Sequence, residues 1–370
     1  MNNYVNSFAR TKVMELAPYV PGKPIEEVQA EYGLTKVHKI ASNENPFGVS
    51  PKAAEAIHAE IIKCATYPES SSPLLRKALA QRIGVKTDQI FVASGGDHII
   101  TLLGNAFINQ DDQVIAGTPS FYTYTLSTVL AGGDLISVPL KNYTYDLNAI
   151  LASVTEKTKL IFLCNPNNPT GTFVDRNKVA DFMKRVPQRC IVVFDEAYFE
   201  FVDDPLYPNG IEEYVKTGAN VVVLRTFSKI YGLAGLRIGY AVLSEHLAPV
   251  FGRVMPPFPV NRLAQAAALA ALDDEVFMDK VLKNNNKERA YLMNEFARLG
   301  MDAVPSQTNF IYVDTHLPSQ ELYEKLLHRG IIIRPGSQWG AKHATCLRVS
   351  IGLPEDNQAF IQALSEILKD

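Results

Sequence analysis

Seven short apolar runs, at residues 90–93, 113–116, 135–138, 160–163, 191–194, 221–224 and 238–242, are separated by longer stretches of helical character. Most of these runs are too short and too uniformly apolar to be surface helices. Strands covered by helices on both faces read this way, because neither face alternates toward water. The pattern therefore predicts an α/β fold whose mostly parallel sheet is sandwiched by helices. After about residue 265 an Ala-rich and then charged helical stretch leads to a second group of strands at 309–313, 330–334 and 346–351, which reads as a smaller α+β domain. With 370 residues there is length for both. The expected divisions are an N-terminal arm (1–35), a large domain (36–265) and a small C-terminal domain (266–370). Pro18, Pro21, Gly22 and Pro24 prevent the arm from forming one continuous helix.

A hydrophobic content of 47%, with 20% charged residues and a net charge of -3, offers no electrostatic attraction for nucleic acid or an anionic membrane. Cys64, Cys164, Cys190 and Cys346 are far apart and form no C-x-x-C pair, so neither a metal site nor a disulfide framework is expected. No apolar run approaches the length of a membrane span, and the first thirty residues lack a secretory core. A cytoplasmic protein is the expectation.

Several of the apolar runs end in polar or glycine-rich loops: Ser94-Gly95-Gly96-Asp97, Gly117-Thr118-Pro119, Asn165-Pro166-Asn167-Asn168-Pro169-Thr170-Gly171, Asp195-Glu196-Ala197-Tyr198 and Thr226-Phe227-Ser228-Lys229. Ligands of open α/β sheets bind beyond the carboxyl ends of the strands, so these loops can converge on one crevice. Lys229, followed eight residues later by Arg237, has the layout of a pyridoxal phosphate site. A lysine forms a Schiff base with an aldehyde once its surroundings lower its proton affinity, and Arg237 can supply the positive charge that does so. Arg237, Thr226 and Ser228 can also hold a phosphate by charge-assisted hydrogen bonds. An ordinary solvated lysine in a surface turn is the alternative for so short a motif.

Asp195, at the end of a buried run, can keep the cofactor's pyridine nitrogen protonated, although acidic residues at strand ends also cap helices. The phenol of Tyr198 and the amide of Asn168 can reach the cofactor's 3-oxygen, while Asn168 equally suits turn chemistry. The Gly95, Gly96 and Asp97 amides open a helix and can cradle an anion. Phe121 can stack on the pyridine or pack in the core.

Taken together, these residues make the chain similar to the fold-type I pyridoxal-phosphate-dependent aminotransferases, and within them to the histidinol-phosphate aminotransferase family. The resemblance covers almost the whole length. It is carried by the loops already quoted and by Pro21-Gly22-Lys23-Pro24, Ala41-Ser42-Asn43-Glu44-Asn45-Pro46, Tyr67-Pro68-Glu69, Gly330-Ile331-Ile332-Ile333-Arg334-Pro335 and Leu347-Arg348-Val349. The resemblance implies that Lys229 is the Schiff-base lysine and proton shuttle, that Asp195 pairs with the pyridinium, and that Tyr198 and Asn168 meet the 3-oxygen. It also implies ring stacking by Phe121 and phosphate binding by Gly95, Gly96, Asp97, Thr226, Ser228 and Arg237. Tyr67 is implied to reach the phosphate in the neighbouring subunit of a homodimer. Tyr19, Asn45, Arg334 and Arg348 are implied to bind substrate, with Arg334 open to a purely structural ion pair.

The expected reaction is amino transfer between histidinol phosphate and 2-oxoglutarate, in histidine biosynthesis. Aromatic amino-acid transfer, threonine-phosphate decarboxylation and non-catalytic cofactor binding are the rival expectations. His98, where the family often has an acid, reads as a solvated first-turn residue. Trp339, the only tryptophan, is either filler or the wall of a pocket for an aromatic ring.

Overall fold

The computed structural model describes residues 7–18 and 20–369. A seven-stranded sheet runs through the larger unit in the order Ile90–Ala93, Gly239–Leu243, Val221–Thr226, Ile191–Asp195, Thr158–Cys164, Gln113–Thr118 and Asp134–Pro139. Gly239–Leu243 runs antiparallel to the two strands beside it, and the remaining pairings are parallel. Apart from the half-buried Lys159, the central strands are buried along their length, which is why they read as apolar runs. Asp195 and Thr226 end adjacent parallel strands, so the loops that follow them leave the sheet side by side.

A four-stranded antiparallel sheet, in the order Arg334–Pro335, Cys346–Ser350, Phe310–Asp314 and Asp302–Val304, forms the second unit. Its core includes Phe296, Ile311, Leu347 and Phe360. The segment expected to be one strand at 330–334 is split. Ile331–Ile332 pairs in parallel with His38–Lys39, and the chain then changes partner so that Arg334–Pro335 joins Cys346–Ser350. Pro335, without an N–H to donate, suits this sheet edge.

The helical residues after 265 divide between the two cores. Ala267, Ala268, Ala271, Leu272, Phe277 and Val281 belong to the larger one, whereas Leu292 and Phe296 belong to the smaller. We therefore propose that the smaller unit begins inside the helix Glu275–Arg298 rather than at residue 266. The N-terminal arm is a 3₁₀ turn, Thr11–Glu15, followed by the helix Ile25–Tyr32. Lys12 pairs with Asp134 at 2.7 Å, tying the arm to the edge strand, while Val28 packs with Leu327 and Ile332 of the smaller unit. Among the described residues no helix is long and apolar enough to cross a membrane.

Candidate active site

The floor of the site is Asp195, at the carboxyl end of a central strand and only 3% exposed. Its Oδ2 accepts a 2.6 Å hydrogen bond from the Tyr124 phenol, and its Oδ1 accepts one at 3.2 Å from the Ala197 N–H. Burial pushes the carboxyl up to about 6, against the opposing pull of these two donors. A buried carboxylate of this kind is stabilised by a cation. Tyr124 escaped the sequence reading. It lies three residues after Phe121, in the first turn of the helix Thr123–Ala131, where an aromatic residue reads as core.

Lys229 follows the strand Val221–Thr226, and the turn between them is held by the Ser228 N–H donating to Thr226 Oγ1 at 3.1 Å. Its ammonium sits 5.7 Å from the centre of the Tyr198 ring. Burial first, and then the charge of Arg348, bring its pKa down to about 8, with Glu44 opposing and Arg237 adding a smaller push. The positive neighbour that matters more is thus Arg348 rather than Arg237. The two arginines are separated by over a hundred residues, so only the folded chain ranks them.

At the other end of the cavity, the helix Gly95–Phe107 points its N-terminus toward Arg237. Gly95 adopts a φ of +84°, a conformation that disfavours any side chain, and a Cβ there would lie 2.8 Å from Arg237 Nη2, so the guanidinium would have to shift from its place. Arg237 donates to Asp97 Oδ2 at 3.1 Å and to the Ala234 carbonyl at 3.2 Å. Asp97 Oδ1 accepts from Thr123 Oγ1 at 2.8 Å, a second partner not singled out from sequence. The Thr226 hydroxyl also donates within its own loop, to Ile238 O at 3.4 Å. His98 is half-buried rather than solvated. Its Nδ1 accepts from the Ser94 N–H at 3.3 Å, and burial lowers its pKa.

A cavity of about 230 Å³ brings together Gly96, Asp97, Phe121, Asn168, Asp195, Tyr198, Thr226, Ser228, Lys229, Arg237, Arg334 and Arg348. Arg348 Nη1 donates to Asn168 Oδ1 at 2.6 Å, and its Nη2 donates to Ala41 O at 2.6 Å, which aims the guanidinium along the cavity wall. The Tyr198 hydroxyl accepts from Asn43 Nδ2 at 3.0 Å, and burial raises the phenol's pKa.

Asn45 is not among the residues lining this cavity. Its Oδ1 accepts the Phe47 N–H at 3.0 Å in a local turn, and its amide donates to Ile230 O at 2.7 Å, tying that turn to the segment after Lys229. Asn43, in the same motif, lines the cavity instead. Tyr67 also stays outside. It is 78% exposed and stacks on Phe258 at 4.6 Å. Tyr19 lies outside the described residues.

A second chamber of about 440 Å³ shares Phe121, Asn168, Arg334 and Arg348 with the first and reaches Pro18 and Val20 of the arm. Arg334 Nη1 donates to Val20 O at 3.4 Å. Trp339 forms part of the wall, set edge-on to Tyr312 at 5.8 Å, with the Arg348 guanidinium 5.8 Å from its ring.

The family model for aminotransferase class I and II matches residues 35–364. The histidinol-phosphate aminotransferase of Moorella thermoacetica is 45% identical over 97% of this chain and 92% of its own. The chain belongs to the histidinol-phosphate aminotransferase family of class I and II aminotransferases. A second family member, from Caldicellulosiruptor saccharolyticus, is 44% identical over 97% of this chain and 99% of its own. The crystal structure of the family's Sinorhizobium meliloti enzyme, in complex with pyridoxal-5'-phosphate, matches with a TM-score of 0.88 and 29% identity over 97% of both chains. An aspartate aminotransferase double mutant from Thermus thermophilus shares the fold, with a TM-score of 0.83 at 20% identity. This aminotransferase is therefore an α/β enzyme of the fold expected from its apolar runs.

Proposed function

We propose that this aminotransferase binds pyridoxal phosphate and transfers an amino group between histidinol phosphate and 2-oxoglutarate, in histidine biosynthesis. The observation that carries the reading is the placement of Asp195, Lys229 and Arg237 around one cavity, in a chain so similar to relatives of that name. The residues fit the cofactor. Asp195 offers a buried carboxylate for a ring cation, and Arg237, Ser228 and the amides after Ser94 offer donors for a phosphate. When bound, pyridoxal phosphate supplies an electron sink for the pair left by the substrate's α-proton.

Lys229 is the base for that proton, since its Nζ is neutral far more often than that of a solvated lysine. Asn168 and Tyr198 face the cofactor's 3-oxygen, and Phe121 covers the ring. Arg348, aimed by Asn168, takes the carboxylate of glutamate, and with Arg334 it takes the phosphate of histidinol phosphate. Tyr19 of the arm is assigned to the same phosphate. Tyr67 is exposed and does not line its own cavity, which suits a role in the site of a partner copy, and exposed Ile62 and Leu74 nearby in sequence suit a dimer interface. Free cysteines and the absence of a membrane-length helix among the described residues suit the cytoplasm.

The aromatic wall formed by Trp339 and Phe121 favours one second reading, transfer from phenylalanine or tyrosine. The test is kcat/KM for histidinol phosphate against phenylalanine, with 2-oxoglutarate as acceptor. The expected preference for histidinol phosphate is about a hundredfold or more, or about 2.7 kcal/mol. A preference for phenylalanine would replace the first reading with the second.

A further inference from the structure

We propose that Tyr124 is a positioning residue for amino transfer: its phenol holds Asp195 ionised and oriented, and so decides where the proton between Asp195 and the cofactor's ring nitrogen resides. The proposal rests on the reading of the cavity as a pyridoxal phosphate site. Three features of the geometry carry it.

The first is the bond itself. The Tyr124 hydroxyl lies 2.6 Å from Asp195 Oδ2, the length of a charge-assisted O–H to carboxylate bond. Both residues are buried, Tyr124 at 1% and Asp195 at 3% exposure, so water does not compete for it.

The second is the fixation of the donor. The Tyr124 ring stacks on Phe162 at 4.4 Å with 12° between planes and meets Phe121 edge-on at 5.8 Å and 82°. A ring clamped between two others has little freedom to swing its hydroxyl away. Phe121 itself lines the cofactor cavity, so the clamp and the site share a wall.

The third is the division of the carboxylate. Tyr124 takes Oδ2 and the Ala197 N–H takes Oδ1, which fixes the plane of the group. A carboxylate has about four acceptor positions, so two donors leave capacity for a third from the cavity that Asp195 lines. The neighbouring Cys164 thiol, pushed up to about 12 by burial, stays neutral and adds no charge.

A proton shared between a carboxylate and a pyridine nitrogen resides on the nitrogen when the carboxylate is stabilised as an anion. Burial opposes the anion and the Tyr124 donor supports it. Removing the phenol oxygen moves the proton toward Asp195, leaves the ring nitrogen less positive, and weakens the sink for the α-carbon's electrons. A tyrosine that merely fills space would affect folding stability and nothing at the nitrogen.

The test uses the holoenzyme loaded with pyridoxal phosphate labelled with ¹⁵N in the ring, comparing wild type, Tyr124→Phe and Phe162→Leu. Tyr124→Phe keeps the ring and its stacking, whereas Phe162→Leu disturbs the stacking and keeps the hydroxyl. For Tyr124→Phe the ¹⁵N shift is expected to move from the pyridinium toward the neutral pyridine position. Its kcat is expected to fall by about tenfold to a hundredfold, or about 1.4 to 2.7 kcal/mol, with KM for the amino donor changed less than about threefold. Phe162→Leu is expected to lower Tm while its ¹⁵N shift stays with wild type. A wild-type ¹⁵N shift in Tyr124→Phe overturns the proposal, as does an equal movement in both variants. Wild-type protein that takes up no cofactor would overturn the cofactor reading instead, which keeps the two failures apart.

Discussion

Asp195 and Lys229 carry charges that their surroundings oppose, and the cofactor-free protein bears that cost. Asp195 titrates near 6 in the folded chain against an ordinary 3.8, so the folded state holds the proton more tightly than the unfolded one. The stability this contributes is complete below about 3.8 and is lost as pH rises through about 6. Above pH 6 the free protein carries a buried charge awaiting a cation. We predict that Asp195→Asn stabilises the cofactor-free protein by about 1–3 kcal/mol at pH 7.5, while reducing turnover by about a thousandfold. Calorimetry of cofactor-free samples checks it, and a lower Tm in the variant at pH 7.5 would refute it.

Lys229 is the mirror case. Its pKa near 8 lies below the ordinary 10.5, so the unfolded chain holds more protons between those values, and stability rises with pH across that window. Removing the amine with Lys229→Met should flatten that rise in cofactor-free protein. A pH–stability profile from 8 to 10.5 that is unchanged in the variant counts against it. Both residues were legible in sequence because a carboxylate or lysine at the end of an apolar run is locally conspicuous. Tyr124 was not, since its partner lies 71 residues away and only the fold brings its hydroxyl to Asp195.

At the scale of elements, all seven strands of the large sheet were located from sequence, with ends one or two residues off in most, because the central strands are buried on both faces and leave a nearly continuous apolar signature. The pairing of Ile331–Ile332 with His38–Lys39 left no such trace: the apolar run at 330–334 shows a strand but not its partner, and His38–Lys39 is too short and polar for a pattern and lies nearly three hundred residues away. The loop after Lys229 depends on a similarly distant contact. Gly232 has a φ of +71°, and a Cβ there would come within 2.0 Å of the Gly48 carbonyl oxygen. Backbone cannot yield as a flexible side chain can. Gly232→Ala is therefore expected to destabilise the protein by roughly 3 kcal/mol or more, measured by denaturant unfolding. A loss under about 1 kcal/mol would mean that the loop relaxes freely.

For the whole molecule, the exposed apolar side chains at one stretch of chain ask for a partner. Ile61, Ile62, Tyr67 and Leu74 are 58%, 84%, 78% and 70% exposed, and Tyr67 stacks on the exposed Phe258. Under the homodimer proposal, Ile62→Glu is expected to shift the sedimentation mass from dimer toward monomer and to lower cofactor retention. An unchanged mass would place the interface elsewhere.

The order of apolar runs by itself determined the class of fold, because helix-covered strands must be apolar throughout. The polar loops after those runs determined which residues stand at the mouth of the sheet, since ligands of such sheets bind beyond the strands' carboxyl ends. Tertiary structure decided what those loops meet: Arg348 rather than Arg237 as the stronger charge beside Lys229, Asn43 rather than Asn45 at the cavity, and Tyr124 against Asp195. The reason is physical. Burial and local periodicity are properties of neighbouring residues and leave a pattern in the chain, whereas hydrogen bonds and charge contacts in the site depend on distances that exist only after the strands and the second unit have packed.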